Sequence, residues 1–240
     1  ALGAATERMG AYQGHASVVA PDGPLVTWGV VVNGGVLIDR GGRRFGNELV
    51  GYSAYSESVM ALPGAEALEV FPPSCYAACR GTRLEEVIDA GKVETFETLE
   101  ALCAAHSLPV KALEAELRAV RAAAGNQDAF GRPWPEKSPW GQEADGLGPV
   151  HAICVRAALF HTQGGLKTDA SGRVLRAVGG LAIPGLYAAG GVAAGLSGET
   201  ARGYLSGNGL LHAAVSGRWA GEAAAAAADV LAITGPSSRL

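Results

Sequence analysis

This 240-residue chain has little basic charge, little cysteine and no long apolar run. Nineteen Lys and Arg against 23 Asp and Glu leave a net charge of -4. No cationic face is therefore expected to track phosphates, and no local Lys/Arg run supplies one, which sets aside nucleic acid and anionic lipid as partners. The four cysteines, at 75, 79, 103 and 154, give one CxxxC with no second pair and no histidine cluster beside it. That pattern argues against a metal site or a disulfide framework. Cys75 and Cys79 read as buried thiols one helical turn apart, in a reducing, cytoplasmic compartment. The alanine-rich tail GEAAAAAADVLAI carries Glu222 and Asp229 and falls short of the about 18 apolar residues that suggest a membrane span. ALGAATERMGAY lacks the basic start and apolar core of a secretory leader and reads as the middle of a helix, as if cut from something longer.

What is present suffices for a sizeable core, since 48% of the residues are hydrophobic. Residues 24–40 are β-branched and broken by Asn-Gly and Gly-Gly, which predicts short strands joined by tight turns. From 82 to 125 the period becomes helical. Thr82 with Glu85 forms a capping box and Gly91 a stop for one helix; Leu99, Leu102, Cys103 and His106 share a face of a second. Pro109 opens a third, with Leu113, Leu117, Val120 and Ala124 as its stripe. Residues 126–150 hold four prolines and two tryptophans and read as an ordered loop or linker. Strands return after it, and SGNGLL opens a long final helix.

Two glycine-lined elements in succession carry the chemical signal. Gly164 and Gly165 follow a histidine, Ser171-Gly172 supplies a hairpin turn, and GLYAAG, read as a buried strand, ends on Gly190 and Gly191. Such glycines let backbone approach a planar or phosphorylated ligand. In SGNGLL, free N–H groups and the positive end of a helix dipole point where an electron-rich group could sit.

The series HTQGGLKTD, GRVL, IPGLYAAGG, GNGLL and SGRWAGEAAA resembles the C-terminal half of the FAD-dependent flavoproteins related to fumarate reductase and succinate dehydrogenase, a family that includes tricarballylate and 3-ketosteroid dehydrogenases. GGVLIDRGGRRFGNEL is similar to the family's signature at the start of its mobile capping domain. The resemblance implies an α+β chain: residues 1–30 end a first flavin-domain half, 31–148 form a capping domain, and 149–240 are the return segment of a discontinuous FAD-binding domain. The family's GxGxxG half is missing here, so the chain reads as a C-terminal fragment of a larger enzyme. The implied partners are a small-molecule substrate and either the missing half or an electron-transfer protein.

Residue roles follow from the same resemblance. The fumarate reductases keep a proton-donating arginine a few residues after the Asn-Glu of the signature; Tyr52 stands there, as a tyrosine does in 3-ketosteroid dehydrogenases. Trp28 and Val31 stand where the fumarate-type relay has Glu and Arg, and neither moves protons. His15, His161 and Arg202 match groups that position substrate. Gly164, Gly165, Gly190, Gly191, Gly207, Asn208, Gly209 and Leu210 match the flavin contacts, with Gly191 where many members have a sugar-binding Glu. Phe45, Asn47 and Glu48 are expected in the turn that delivers Tyr52, Arg43 and Arg44 in solvent, and His106, His151 and His212 in structural roles. The reading is an oxidoreductase moving hydride between a carboxylate or ketone and flavin N5. The alternatives are a folded fragment that binds no FAD alone, or a subunit that needs a second chain.

Overall fold

A computed structural model describes residues 2–142 and 146–234, with backbone alone over 230–234. In chain order its elements are β1 (Thr6–Glu7), β2 (Tyr12–Val19), α1 (Gly29–Val32), β3 (Val36–Ile38), α2 (Tyr52–Met60), β4 (Glu66–Phe71), α3 (Pro73–Ala78) and α4 (Leu84–Asp89). Then follow β5 (Glu94–Phe96), α5 (Leu99–His106), α6 (Val110–Ala122), β6 (Val150–Thr162), β7 (Gly165–Leu166), β8 (Arg173–Leu175), β9 (Ala182–Tyr187) and α7 (Asn208–Thr234). The chain is a mixture of helix and sheet. It forms two compact units, one of residues 1–13 with 159–240, the other of residues 14–158. Residues 2–12 of the opening are strand and turn, not helix, because Thr6 and Glu7 pair with Leu166 and Gly165.

The 14–158 unit is built on a sheet of order β2-β6-β4-β3, with β5 also on β6. The alternation of its side chains explains why both faces are covered. Side chains alternate across a strand, so Leu37, Ala67, Phe71, Ile153 and Val155 enter one core with Val30, Tyr55, Val59, Cys75 and Leu84. Val36, Ile38, Leu68, Val70 and Ala152 enter the other with Leu102, Leu113, Leu117, Trp134 and Trp140. The helices α5 and α6 thus use the apolar stripe that their spacing predicts, ending on Ala123 instead of the half-buried Ala124. Gly91 ends α4 at a φ of 63°, and Lys92 N–H returns to Val87 O. The cap before α4 is shifted from the expected box: Thr82 Oγ1 accepts Leu84 N–H, and Glu85 accepts Gly81 N–H.

One region departs from the sequence reading. Residues 29–32, expected as strand, form α1, because its carbonyl ends are satisfied from far along the chain: Arg132 donates to Val31 O at 2.7 Å and to Gly35 O at 2.9 Å. Of the two alternatives for residues 126–150, ordered loop or linker, the described residues form the ordered loop. Trp134 and Trp140 are buried, and Trp140 Nε1 donates to Gly34 O at 2.9 Å; residues 143–145 lie outside the description.

The other unit pairs β1 with β7 and β8 with β9 around Val174, Ile183, Ala188 and Ala193. The Ser171-Gly172 turn forms as predicted, with Asp169 Oδ1 accepting from Ser171 and Arg173 N–H. GLYAAG is not a buried strand. In β9 only Ile183 is fully buried while Pro184 and Gly185 are exposed, since β8 is its only strand neighbour.

Candidate functional site

The 14–158 unit brings together two predicted site residues. Tyr52 is the first residue of α2, released into position by Gly51, whose φ of 105° suits glycine. Its ring stacks on the imidazole of His15, with centroids 4.9 Å apart and planes at 20°. Trp28 meets His15 edge-on at 5.8 Å and Tyr52 at 6.5 Å. His15 is 4% exposed, and burial pushes its pKa down to about 4. Its Nδ1 accepts Ser17 N–H at 3.1 Å, so the neutral ring carries its proton on Nε2. A neutral imidazole beside a phenol can donate a hydrogen bond or share a proton; it offers no fixed positive charge.

Three residues on, Tyr55 is 1% exposed and its hydroxyl has no hydrogen-bond partner. Burial, reinforced by Glu48, pushes its pKa up. Tyr55 therefore packs, against Phe45 at 5.2 Å. Behind His15 on β2, Ser17 donates to the fully buried Glu69, whose second oxygen is unpartnered. Burial raises Glu69 to about 7.

The turn that leads into α2 rests on a buried ion cluster. Asn47 caps the turn before α2 by accepting Leu49 N–H at 2.9 Å. Glu48, 0% exposed, accepts from Arg44 Nη2 at 2.6 Å and from Arg132 Nη1 at 3.0 Å, while Asp128 accepts Arg44 Nη1 at 2.6 Å. Arg44 is thus buried, contrary to the solvated role expected of paired arginines. Two carboxylates 80 residues apart in sequence recruit it (128 − 48 = 80). Arg132, missed from sequence, completes the charge balance and lies over the Trp134 ring at 3.9 Å.

In the other unit, His161 and the start of α7 meet. A Cβ on Gly209 would lie 3.7 Å from the His161 ring. Tyr204 meets that ring edge-on at 5.9 Å, and Gln163 Nε2 lies 3.2 Å from His161 Nδ1. Arg202 is exposed in a 3-10 turn, Ala201–Gly203, whose Ala201 is buried and which Thr200 caps. Asn208, 2% exposed, donates from Nδ2 to Ser197 Oγ at 3.0 Å and to Leu205 O; its Oδ1 is buried without a partner.

The glycines divide into two kinds. A Cβ on Gly164 would lie 2.6 Å from Arg8 O and Met9 Cα, and one on Gly165 2.6 Å from Val192 O, so the chain's own backbone already fills that space. At Gly191 and Gly207 nothing lies within 4 Å, and at Gly190 only Ala213 does. Open glycine backbone and a 27-residue helix starting at Asn208 fit an electron-rich cofactor edge, while the orphaned Asn208 Oδ1, an acceptor, calls for an N–H or O–H donor. Leu210, 88% exposed, presents an apolar side chain in the first turn of the same helix. Among the described residues no His/Cys/Asp/Glu group could hold a metal ion, and no helix is long and apolar enough to cross a membrane.

Comparison with known proteins follows the same lines. The FAD binding domain family matches residues 1–210. The cytochrome-type fumarate reductase of Shewanella frigidimarina is 30% identical over 225 residues, 93% of this chain and 37% of that protein. The solved open conformation of a flavocytochrome c3 fumarate reductase superposes with a TM-score of 0.66 at 26% identity, over 93% of this chain and 38% of that one. A 3-ketosteroid-Δ4-(5α)-dehydrogenase from Rhodococcus jostii RHA1 shares the fold, with a TM-score of 0.62 at 24% identity, covering 93% and 43%. The chain spans little more than a third of the curated relative it matches. The family and its relatives make FAD the cofactor.

Proposed function

Because the chain belongs to the FAD binding domain family, we propose that it is the substrate-facing and flavin-completing part of an FAD-dependent dehydrogenase or reductase acting on a small organic carboxylate or ketone. FAD, when bound, supplies hydride acceptance or donation at N5. In this reading residues 31–148 are a capping domain, 149–240 the return segment of the flavin-binding domain, and 1–30 the end of its first half. Gly190, Gly191, Gly207, Asn208, Gly209 and Leu210 would hold the flavin, with Gly164 and Gly165 shaping the backbone beside them.

The observation that carries the reading is the Tyr52 ring stacked on a buried, neutral His15. Tyr52 holds or moves the proton that accompanies hydride transfer, and His15 orients it and donates from Nε2. Trp28 and the buried Val31 stand at the positions of a Glu–Arg relay with apolar side chains, and Trp28 meets the half-buried Tyr52 edge-on. A neutral imidazole polarises a carbonyl oxygen better than it clamps a carboxylate, so the His15–Tyr52 pair favours a ketone or enone. The family resemblance gives His161 and Arg202 substrate-positioning roles too, and Arg202 keeps a carboxylated substrate in play.

The test is a titration with FAD followed by flavin fluorescence and the visible absorption band. Stoichiometric binding, followed by a loss of roughly 10²- to 10⁴-fold in turnover for Tyr52→Phe with FAD affinity unchanged, is the expected result. Turnover indifferent to Tyr52→Phe would remove the proposed role. A second reading, a folded fragment that needs a further chain to hold FAD, is favoured by the exposed Val192, Leu196, Leu205, Leu210 and Leu211 around the same segment. Absence of FAD binding by the chain alone, restored by a polypeptide carrying a dinucleotide-binding half, would establish it.

A further inference from the structure

The 14–158 unit holds a second cluster of reactive side chains, on the α5 side of the sheet. Cys154 on β6 is the one exposed thiol; Cys75, Cys79 and Cys103 are buried. It lines a pocket of about 140 Å³ with Asp39, Arg40, Glu66, His106 and Leu108. His106, the last residue of α5, places Nδ1 3.9 Å from Cys154 Sγ and Nε2 3.1 Å from Glu94 Oε2. β5 pairs with β6 at Glu94 and Ala152, and Phe96 abuts the His106 ring edge-on at 5.9 Å, so strand register and packing fix the order Cys, His, Glu.

That order is the logic of an activated nucleophile: a thiol, a base within reach, and a third group orienting the base. Glu94 accepts the Nε2 proton, which leaves Nδ1 with its lone pair toward sulfur. The thiol itself is held protonated, because burial and the carboxylates of Glu94 and Glu66 raise its pKa. Its reactivity therefore depends on His106.

We propose that Cys154, His106 and Glu94 form a thiol–disulfide exchange site that takes small, positively charged disulfides. Cys154 Sγ attacks one sulfur of the disulfide, forming a mixed disulfide as the S–S bond breaks. Its proton passes to His106 Nδ1 and then to the departing thiolate, so one disulfide and one thiol become one mixed disulfide and one thiol. Charge selects the ligand. Asp39, Glu66 and Glu94 lie around the thiol, while Arg40 is 3.5 Å from Glu66 and Arg156, opposite Glu66 in the β4–β6 register, donates to Pro21 O.

Cystamine and 3,3′-dithiodipropionate test this on the intact chain, with modification followed by intact mass and the site by peptide mapping. Cystamine should add a single half-cystamine at Cys154, about tenfold or more faster than the dianionic reagent at low salt. His106→Gln and Glu94→Gln should slow it, the first about a hundredfold, with thermal melting points near that of the parent chain. Equal rates in His106→Gln, or faster reaction with the dianionic disulfide, would overturn the proposal. If His106→Gln fails to fold, the Glu94→Gln rate decides: an unchanged rate overturns the triad and a slowed one supports it.

Discussion

At the scale of single residues, the strongest constraint is the group of charges beneath Tyr52. Removing one partner of a buried pair leaves the other uncompensated, at about 3–5 kcal/mol. Glu48→Ala should therefore cost that much in urea denaturation, because it strands Arg132 and leaves Arg44 with Asp128 alone. Glu66→Ala breaks only the exposed contact with Arg40 and should cost under about 1 kcal/mol. Two further groups give stability opposite pH slopes. His15 falls from 6.5 to about 4 on folding, so its contribution is complete above 6.5 and is lost as pH falls toward 4. Glu69 rises from 4.5 to about 7, so its contribution is complete below 4.5 and is lost as pH rises through 7. Glu69→Gln should accordingly match the parent chain near pH 4.5 and become the more stable of the two by pH 8, as read by thermal melts across that range. A stability difference constant with pH would show that Glu69 does not titrate in this way. Sequence motifs singled out Tyr52 and His15 separately, and their stacking is seen only in the fold; Arg44 looked solvated because its partners, Glu48 and Asp128, converge only in three dimensions.

At the scale of elements, local signals were legible wherever local forces decide. The apolar stripes of α5 and α6, the Gly91 stop and the Asp169 turn depend on neighbours within a few residues, and each formed as its spacing predicts. α1 was illegible because its ends are held by Arg132, about a hundred positions downstream. The glycine motifs were legible as motifs but not by purpose, since a sequence does not say what fills the space beside a missing side chain. The two purposes separate by experiment. Gly164→Ala should lower the melting temperature by several degrees with or without FAD, because its Cβ would meet the backbone of Arg8 and Met9. Gly191→Ala meets nothing and should leave the melting temperature of the FAD-free chain unchanged while weakening FAD binding. Equal destabilisation by both variants would contradict this division.

At the scale of the whole molecule, the chain passes between its two compact units at residues 13/14 and again at 158/159, inside β2 and inside β6. A ligand that binds only the folded chain stabilises it by mass action. FAD at about a hundred times its dissociation constant should add about 2.7 kcal/mol, and a melting temperature indifferent to FAD would favour the reading in which a further chain is required.

The contacts of Arg132 with Val31 and of Trp140 with Gly34 join segments 101 and 106 residues apart. Such pairings form late, after the intervening chain has closed its loop. Weakening them should hasten unfolding far more than it slows folding. The arginine and tryptophan of that proline-rich loop thus act as a clasp fastened last, and they set how long the folded 14–158 unit lasts more than how quickly it is reached.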